Sequence, residues 1–204
     1  MNTLISPRQT SFIPGRQGRD NIIIAQEACH TMRRTKRKCG FMAIKVDLEK
    51  AYDNIRWAFV VDTFSDLGFR DHFISVIYHC LSFVSFRVCV NGEKADSFTP
   101  QRGLRQGDPI SPYIFVLCVE RLSQLIDKRM VEGNWKSLVM AKGEIKLSHL
   151  FFPKDLLLFG EASKAQMEVV KICLDLFSSA ADTKVSGAKT RVFFSKGVHH
   201  TRRA

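Results

Sequence analysis

Residues 41–53 read FMAIKVDLEKAYD, and the first half alternates: Met42, Ile44 and Val46 fall on one side, Ala43, Lys45 and Asp47 on the other. A period of two predicts a strand with one face in a core. Elsewhere the apolar positions recur at steps of three and four. They predict helices from residue 20 (Ile22, Ala25, Cys29 and Met32 inward), over 54–67 (Ile55, Phe59, Val60, Phe64, Leu67), over 71–81 (Phe73, Ile74, Ile77, Leu81), over 113–130 (Phe115, Val119, Leu122, Leu125, Ile126) and over 165–180 (Met167, Val170, Leu174, Phe177). Asp20 is placed to cap the first helix and Gly68 to stop the second. The period returns to two at Phe86, Val88 and Val90, ahead of Asn91 and Gly92, a hairpin turn pair with a return strand over 94–98. Two short apolar strands within 147–159 flank Pro153 and Lys154, a basic loop follows at 183–189, and a last strand covers 191–195. Strand, two helices, hairpin, helix, hairpin, helix, strand is an α+β order. It predicts an antiparallel sheet with helices on one face, close to a ferredoxin-like core.

Composition narrows the partners. The 204 residues suffice for one domain with a real core, and no apolar run reaches a membrane span. The 31 Lys and Arg against 20 Asp and Glu leave a net charge of +11, which favours a polyanion partner, nucleic acid by default, over a generic basic surface. Cys29, Cys39, Cys80, Cys89, Cys118 and Cys173 sit in apolar segments without a CxxC pair, and read as small buried hydrophobes in a reducing compartment. The basic run at 33–38 is a solvated face, a phosphate contact or a nuclear-import signal; its composition does not separate these, and no segment establishes a compartment.

Two stretches carry candidate chemistry. Asp47 ends a buried strand, where a carboxylate binds a cation or caps the following helix. Glu49, Tyr52 and Asp53 follow at once. An acid at a strand end with an aromatic five residues on suits metal-dependent nucleotidyl transfer. Residues 100–112, PQRGLRQGDPISP, crowd Arg102, Arg105, Gln106 and Gly107 into a loop opening the long helix. A glycine-bearing basic loop at a helix N-terminus suits phosphate or a base edge.

Four stretches, QTSFIPGRQGRDNIIIAQE, KVDLEKAYD, RGLRQGDPISP and HLFFPKDLLLFGEAS, resemble in order and spacing the reverse transcriptase of non-LTR (LINE-type) retrotransposons, in the form common in flowering plants. The third is the most specific, and the likeness runs from about residue 7 to 198. It implies a right-hand polymerase palm over 41–198 with part of the fingers over 1–40, and a disordered tail over 199–204. It implies RNA-directed DNA synthesis by two-metal phosphoryl transfer on Mg²⁺, with an RNA template, a DNA primer and deoxynucleoside triphosphates as partners. By the same resemblance Asp47 and Asp155 are metal-binding carboxylates and Lys184 sits near the leaving pyrophosphate. Tyr52 excludes a ribose 2′-hydroxyl, and Arg105, Gln106 and Gly107 lie beside the incoming nucleotide. Arg16, Arg102 and Lys196 serve template and primer, Lys196 closing the primer-gripping Phe193-Phe194-Ser195-Lys196.

The chain departs from the family where it matters most. The family's aromatic-Ala-Asp-Asp reads Phe152-Pro153-Lys154-Asp155, so a cation stands at the position that ligates both metals. At an effective dielectric of about 20, one charge pair at about 4 Å is worth about 4 kcal/mol, here turned from attraction into repulsion. Pro153, locked near φ of about −65°, opposes a primed two-residue turn. The expectation is a degenerate, truncated copy, without the family's first fingers motif, its endonuclease or its thumb. Its polymerase activity falls by orders of magnitude unless Glu49 or Asp53 replaces the lost ligand; the alternative is a non-catalytic RNA- or DNA-binding remnant.

Overall fold

The computed structural model describes residues 4–35, 39–140, 145–152 and 155–198. The turn at Pro153 and Lys154, the end of the basic run at Lys36, Arg37 and Lys38, and the tail over 199–204 lie outside them.

The alternating stretch forms β1 (Phe41–Glu49), the central strand of an antiparallel sheet. On one side it pairs with β7 (Asp155–Glu161) in unbroken register from Phe41↔Glu161 to Asp47↔Asp155, and β6 (His149–Phe151) lies outside β7. Two short strands share its other edge. β9 (Arg191–Phe194) lines the first half, and β8 (Lys184–Val185) lines the end, with Glu49 opposite Lys184.

Met42, Ile44, Val46 and Leu48 enter one buried cluster with a helical layer. That layer comprises α3 (Trp57–Asp66), α4 (Asp71–Ser82), α5 (Ser111–Val131) and α6 (Lys164–Ala181). The α+β expectation is met, with one correction: the other face is not bare. Phe41 and Ala43 are buried with Phe159 beneath α1 (Gly18–Arg34) and a hairpin of β4 (Leu138–Met140) and β5 (Ile145–Leu147). This cover reaches only the Phe41 end. Lys45 and Asp47 remain partly exposed.

Other expectations shift for identifiable reasons. In α1 the buried positions are Asn21, Ala28 and Met32, while Ile22 and Cys29 face solvent. The Asn21 amide donates to the carbonyls of Arg8 (3.0 Å) and Phe151 (3.1 Å), so a polar residue is satisfied in the interior and the inward face rotates. The helix begins at Gly18, and Asp20 lies in its first turn rather than at the cap. The helix expected over 54–67 is broken into α2 (Ala51–Asn54) and α3, because Arg56 is drawn away: its N–H donates to Ala181 (3.1 Å) and its guanidinium to Ala180 (2.6 Å). Phe73 stays exposed, stacked on Phe69. Of the cysteines, Cys118 and Cys173 are buried and the other four are exposed. The turn pair forms as expected, with Asn91 at φ 52 and Gly92 at φ 88 between β2 (Cys89–Val90) and β3 (Glu93–Lys94).

The segment before α1 is stapled to the domain. Arg8 pairs with Asp127 of α5 at 2.7 Å, and Phe151 N–H donates to the Arg8 carbonyl. Close by, the buried imidazole of His149 bonds Ser123 and Ser148, and burial pushes its pKa down to about 3.

Candidate active site

Residues two apart on a strand share a face, as do residues opposed in register. Lys45, Asp47 and Glu49 of β1, Asp155 and Leu157 of β7, Lys184 of β8, and Arg191 and Phe193 of β9 therefore line one side of the sheet. Its Asp47 end is open, and Phe193 is exposed as well. Asp47 and Asp155 stand directly across the β1–β7 ladder. Phe152 N–H donates to the Asp155 carbonyl at 2.9 Å, so the strand ends meet on either side of Pro153 and Lys154, which lie outside the described residues.

Both carboxylates already have cationic neighbours. Lys45 Nζ lies 3.1 Å from Asp155 Oδ2, and Lys189 Nζ lies 3.8 Å from Asp47 Oδ2. The Ser186 N–H holds the loop against β1 by donating to the Asp47 carbonyl at 2.8 Å. Sequence reading placed Lys45 beside Asp47 through alternation but assigned it no role. Lys189 was legible only as the end of the basic loop at 183–189, because its approach to Asp47 depends on the chain returning after α6.

A second wall rises beside this face. Tyr52, on α2, stacks on Phe115 of α5 with ring centres 4.5 Å apart and planes at 19°, and burial raises its phenol pKa. The basic loop is sewn to it: Leu104 N–H donates to the Tyr52 carbonyl (2.6 Å), Gly103 N–H to Ile55 (2.8 Å), and Trp57 Nε1–H to Gly103 (2.8 Å). Gly103 has φ +90, and a Cβ there would stand 2.7 Å from the Asp53 carbonyl oxygen, so the position accepts only glycine without strain. Gln106 donates to Asp53 (3.2 Å), Arg105 pairs with Asp108 (2.9 Å) and Arg102 with Asp182 (2.7 Å). Gly107, at φ +91, opens the turn into α5.

Asp47, Asp155 and Lys184 thus stand at the end of β1, where Arg102 shares a cavity with Lys184, while Tyr52, Arg105, Gln106 and Gly107 belong to the adjoining wall. A cavity of about 490 Å³ joins Glu49, Lys50, Arg102, Lys184 and Lys189. Another of about 380 Å³ joins Asp53, Trp57, Arg105 and Gln106. Two expected residues lie elsewhere. The Arg16 guanidinium donates to the carbonyls of Ile5, Ser6 and Gln9 and so braces its own loop. Lys196 follows Ser195, which is bonded to Phe41 at the opposite end of β1, roughly 20 Å of strand from Asp47.

A two-ion Mg²⁺ site needs a carboxylate that bridges both ions. The donor set here does not fit one. Among the described residues no group of three or more acidic, His or Cys side chains is placed to hold a metal, and Asp155 and Asp47 have lysine ammonium groups 3.1 and 3.8 Å away.

Residues 1–201 match the family model described as "Reverse transcriptase (RNA-dependent DNA polymerase)". The chain is 23% identical over 187 residues to the "Transposon TX1 uncharacterized 149 kDa protein" of Xenopus laevis, covering 92% of this chain and 14% of that protein. It is 26% identical over 172 residues to the "Retrovirus-related Pol polyprotein from type-2 retrotransposable element R2DM" of Drosophila melanogaster, covering 84% of this chain and 15% of that protein. It therefore spans about one seventh of these relatives. Among solved structures, telomerase from Candida tropicalis with a fragment of telomeric RNA superimposes with a TM-score of 0.66 at 12% identity, covering 88% of this chain and 30% of that one. That likeness is one of fold: an α+β polymerase palm.

Proposed function

The chain belongs to the reverse transcriptase (RNA-dependent DNA polymerase) family, and from that premise we propose that it is the polymerase domain of a non-LTR, LINE-type retroelement of the flowering-plant form that has lost polymerisation but still holds nucleic acid. Residues 41–198 act as the palm and the preceding segment as part of the fingers. An RNA template and a DNA primer lie across the open face. Tyr52 stands where it rejects a ribose 2′-hydroxyl, Arg105, Gln106 and Gly107 border a deoxynucleoside triphosphate, and Lys184 faces its phosphates.

One observation carries the loss of chemistry: the charge balance at the end of β1. Asp47 and Asp155 are the acids opposed there, each has a lysine beside it, and Lys154 fills the position that the family gives to a carboxylate. Each 1.4 kcal/mol of lost transition-state stabilisation is about tenfold in rate. Replacing an attraction of about 4 kcal/mol by repulsion therefore lowers the rate by about a thousandfold or more.

The test is primer extension on an RNA template with deoxynucleotides and Mg²⁺. The native chain is run beside the double variant Pro153→Ala/Lys154→Asp. Extension by the variant alone is the expected result. Extension by the native chain at a comparable rate overturns the reading. Extension by neither means that a defect outside this hairpin is enough to stop synthesis, and it overturns the assignment of the loss to Lys154 alone.

A further inference from the structure

The hairpin of β2 and β3 carries an apolar face with nothing over it. Every residue of 85–99 is exposed, and none belongs to either buried cluster. Phe86, Val88 and Val90, two apart, share one side of the ribbon. Phe98 joins them, its ring centre 5.9 Å from that of Phe86. Phe86 is 39% exposed, Val88 51%, Val90 59% and Phe98 52%. A two-stranded ribbon is marginal in water, whereas three or more strands with an apolar face hold.

Its two edges differ. Phe86 and Phe98 exchange both backbone bonds, at 2.8 and 2.9 Å, and the Ala95 N–H donates to the Val88 carbonyl at 2.8 Å. Two steps separate Phe86 from Val88 but three separate Ala95 from Phe98, so the return strand holds an extra residue, a bulge. The return strand also carries Glu93, Lys94 and Asp96. Bulges and charges blunt an edge against pairing. The outgoing strand has no bulge. Phe86 and Val88 bond inward, so Arg87 between them turns its N–H and C=O outward, and by the same alternation so does Cys89.

We propose that this unblunted edge is a self-association surface. Residues 86–90 of one chain pair antiparallel with residues 86–90 of a second copy, about a two-fold axis at Val88. In that register Arg87 exchanges backbone bonds with Cys89 of the second copy, and like charges do not meet. Phe86 stands across from Val90 of the second copy, an aromatic against a β-branched residue, and the symmetry repeats each pair. The two hairpins become one four-stranded sheet whose apolar face continues across the axis. The surface is independent of the function proposed above.

The experiment is sedimentation velocity over a micromolar concentration series, with amide hydrogen exchange on the same samples. The native chain forms a concentration-dependent dimer, and the Arg87 and Cys89 amides gain protection with it while those of Lys94 and Asp96 do not. Arg87→Pro removes an outward N–H and no bond within the hairpin. Val88→Asp and Val88→Lys each set like charges at the axis. Each of the three weakens the dimer by about tenfold or more. An equimolar mixture of Val88→Asp and Val88→Lys restores it, because the mixed pair alone sets opposite charges at the axis. The proposal is overturned if the native chain stays monomeric, if its dimer survives Arg87→Pro, or if the mixture fails to associate. A dimer that protects the Lys94 edge instead also overturns it.

Discussion

The two faces of β1 are made by alternate residues of one strand and serve opposite ends. Met42, Ile44, Val46 and Leu48 disappear into the helical layer. On the reverse, Phe41 and Ala43 are covered by α1 and the β4–β5 hairpin, but the cover stops before Lys45, Asp47 and Glu49. Burial on the first face is complete, so its residues are held by volume and apolar contact. Burial on the second is graded along the strand, and charge is tolerated only where it ends. A site is therefore located less by its acids than by where the cover runs out.

That contrast can be broken or sharpened by substitution, beginning with adjacent residues of one strand. Ile44→Ala removes a buried side chain and should cost about 2–5 kcal/mol in urea denaturation. If it proves neutral, the helical face is not the core described.

The helical layer also carries Glu120, among the described residues the one buried carboxylate. Burial pushes its pKa up to about 7 from an ordinary 4.5, against hydrogen bonds from the Ser6 backbone and the Ser123 hydroxyl. A carboxyl with a raised pKa contributes most at low pH, and its contribution is lost as pH climbs from 4.5 through about 7. The melting temperature of Glu120→Gln, relative to the native chain, should therefore rise between pH 5 and pH 8, by an amount equivalent to at most about 3 kcal/mol. His149 shifts the other way, but it is present in both chains and cancels in this difference. A relative melting temperature that is flat with pH would mean that Glu120 ionises freely.

Gly103→Ala, where the loop meets the β1 end, places a methyl against the Asp53 carbonyl at φ +90 and should cost about 1–3 kcal/mol, read as a lowered melting temperature. The smallest effect belongs to the open face. Lys45→Ala breaks a solvent-accessible ion pair and should move stability by no more than about 0.5 kcal/mol. A loss equal to that of its neighbour Ile44 would erase the distinction between the faces.

Much of this was legible in the chain itself. Alternation from Met42 to Asp47 identified the central strand, and Asn91 with Gly92 identified a hairpin whose turn has the required positive φ values. The crowding of Arg102, Arg105, Gln106 and Gly107 marked the loop that the structure sews to Tyr52. What escaped depends on distant partners. The break at Arg56 is caused by carbonyls at the end of α6, and the inward turn of α1 by an amide satisfied from Arg8 and Phe151. The β4–β5 hairpin has strands of three residues each, too short for a periodic signal. Lys189 reaches Asp47 only because β8 and its loop fold back onto the end of β1.

The most direct measurement is single-nucleotide incorporation on an RNA-templated primer by the native chain against its own Asp47→Asn variant. If polymerisation is lost at the metal site, as proposed, the two rates should be the same, both at the background of the uncatalysed reaction. A native rate well above that of Asp47→Asn would mean that Asp47 still serves catalysis, and would contradict the account.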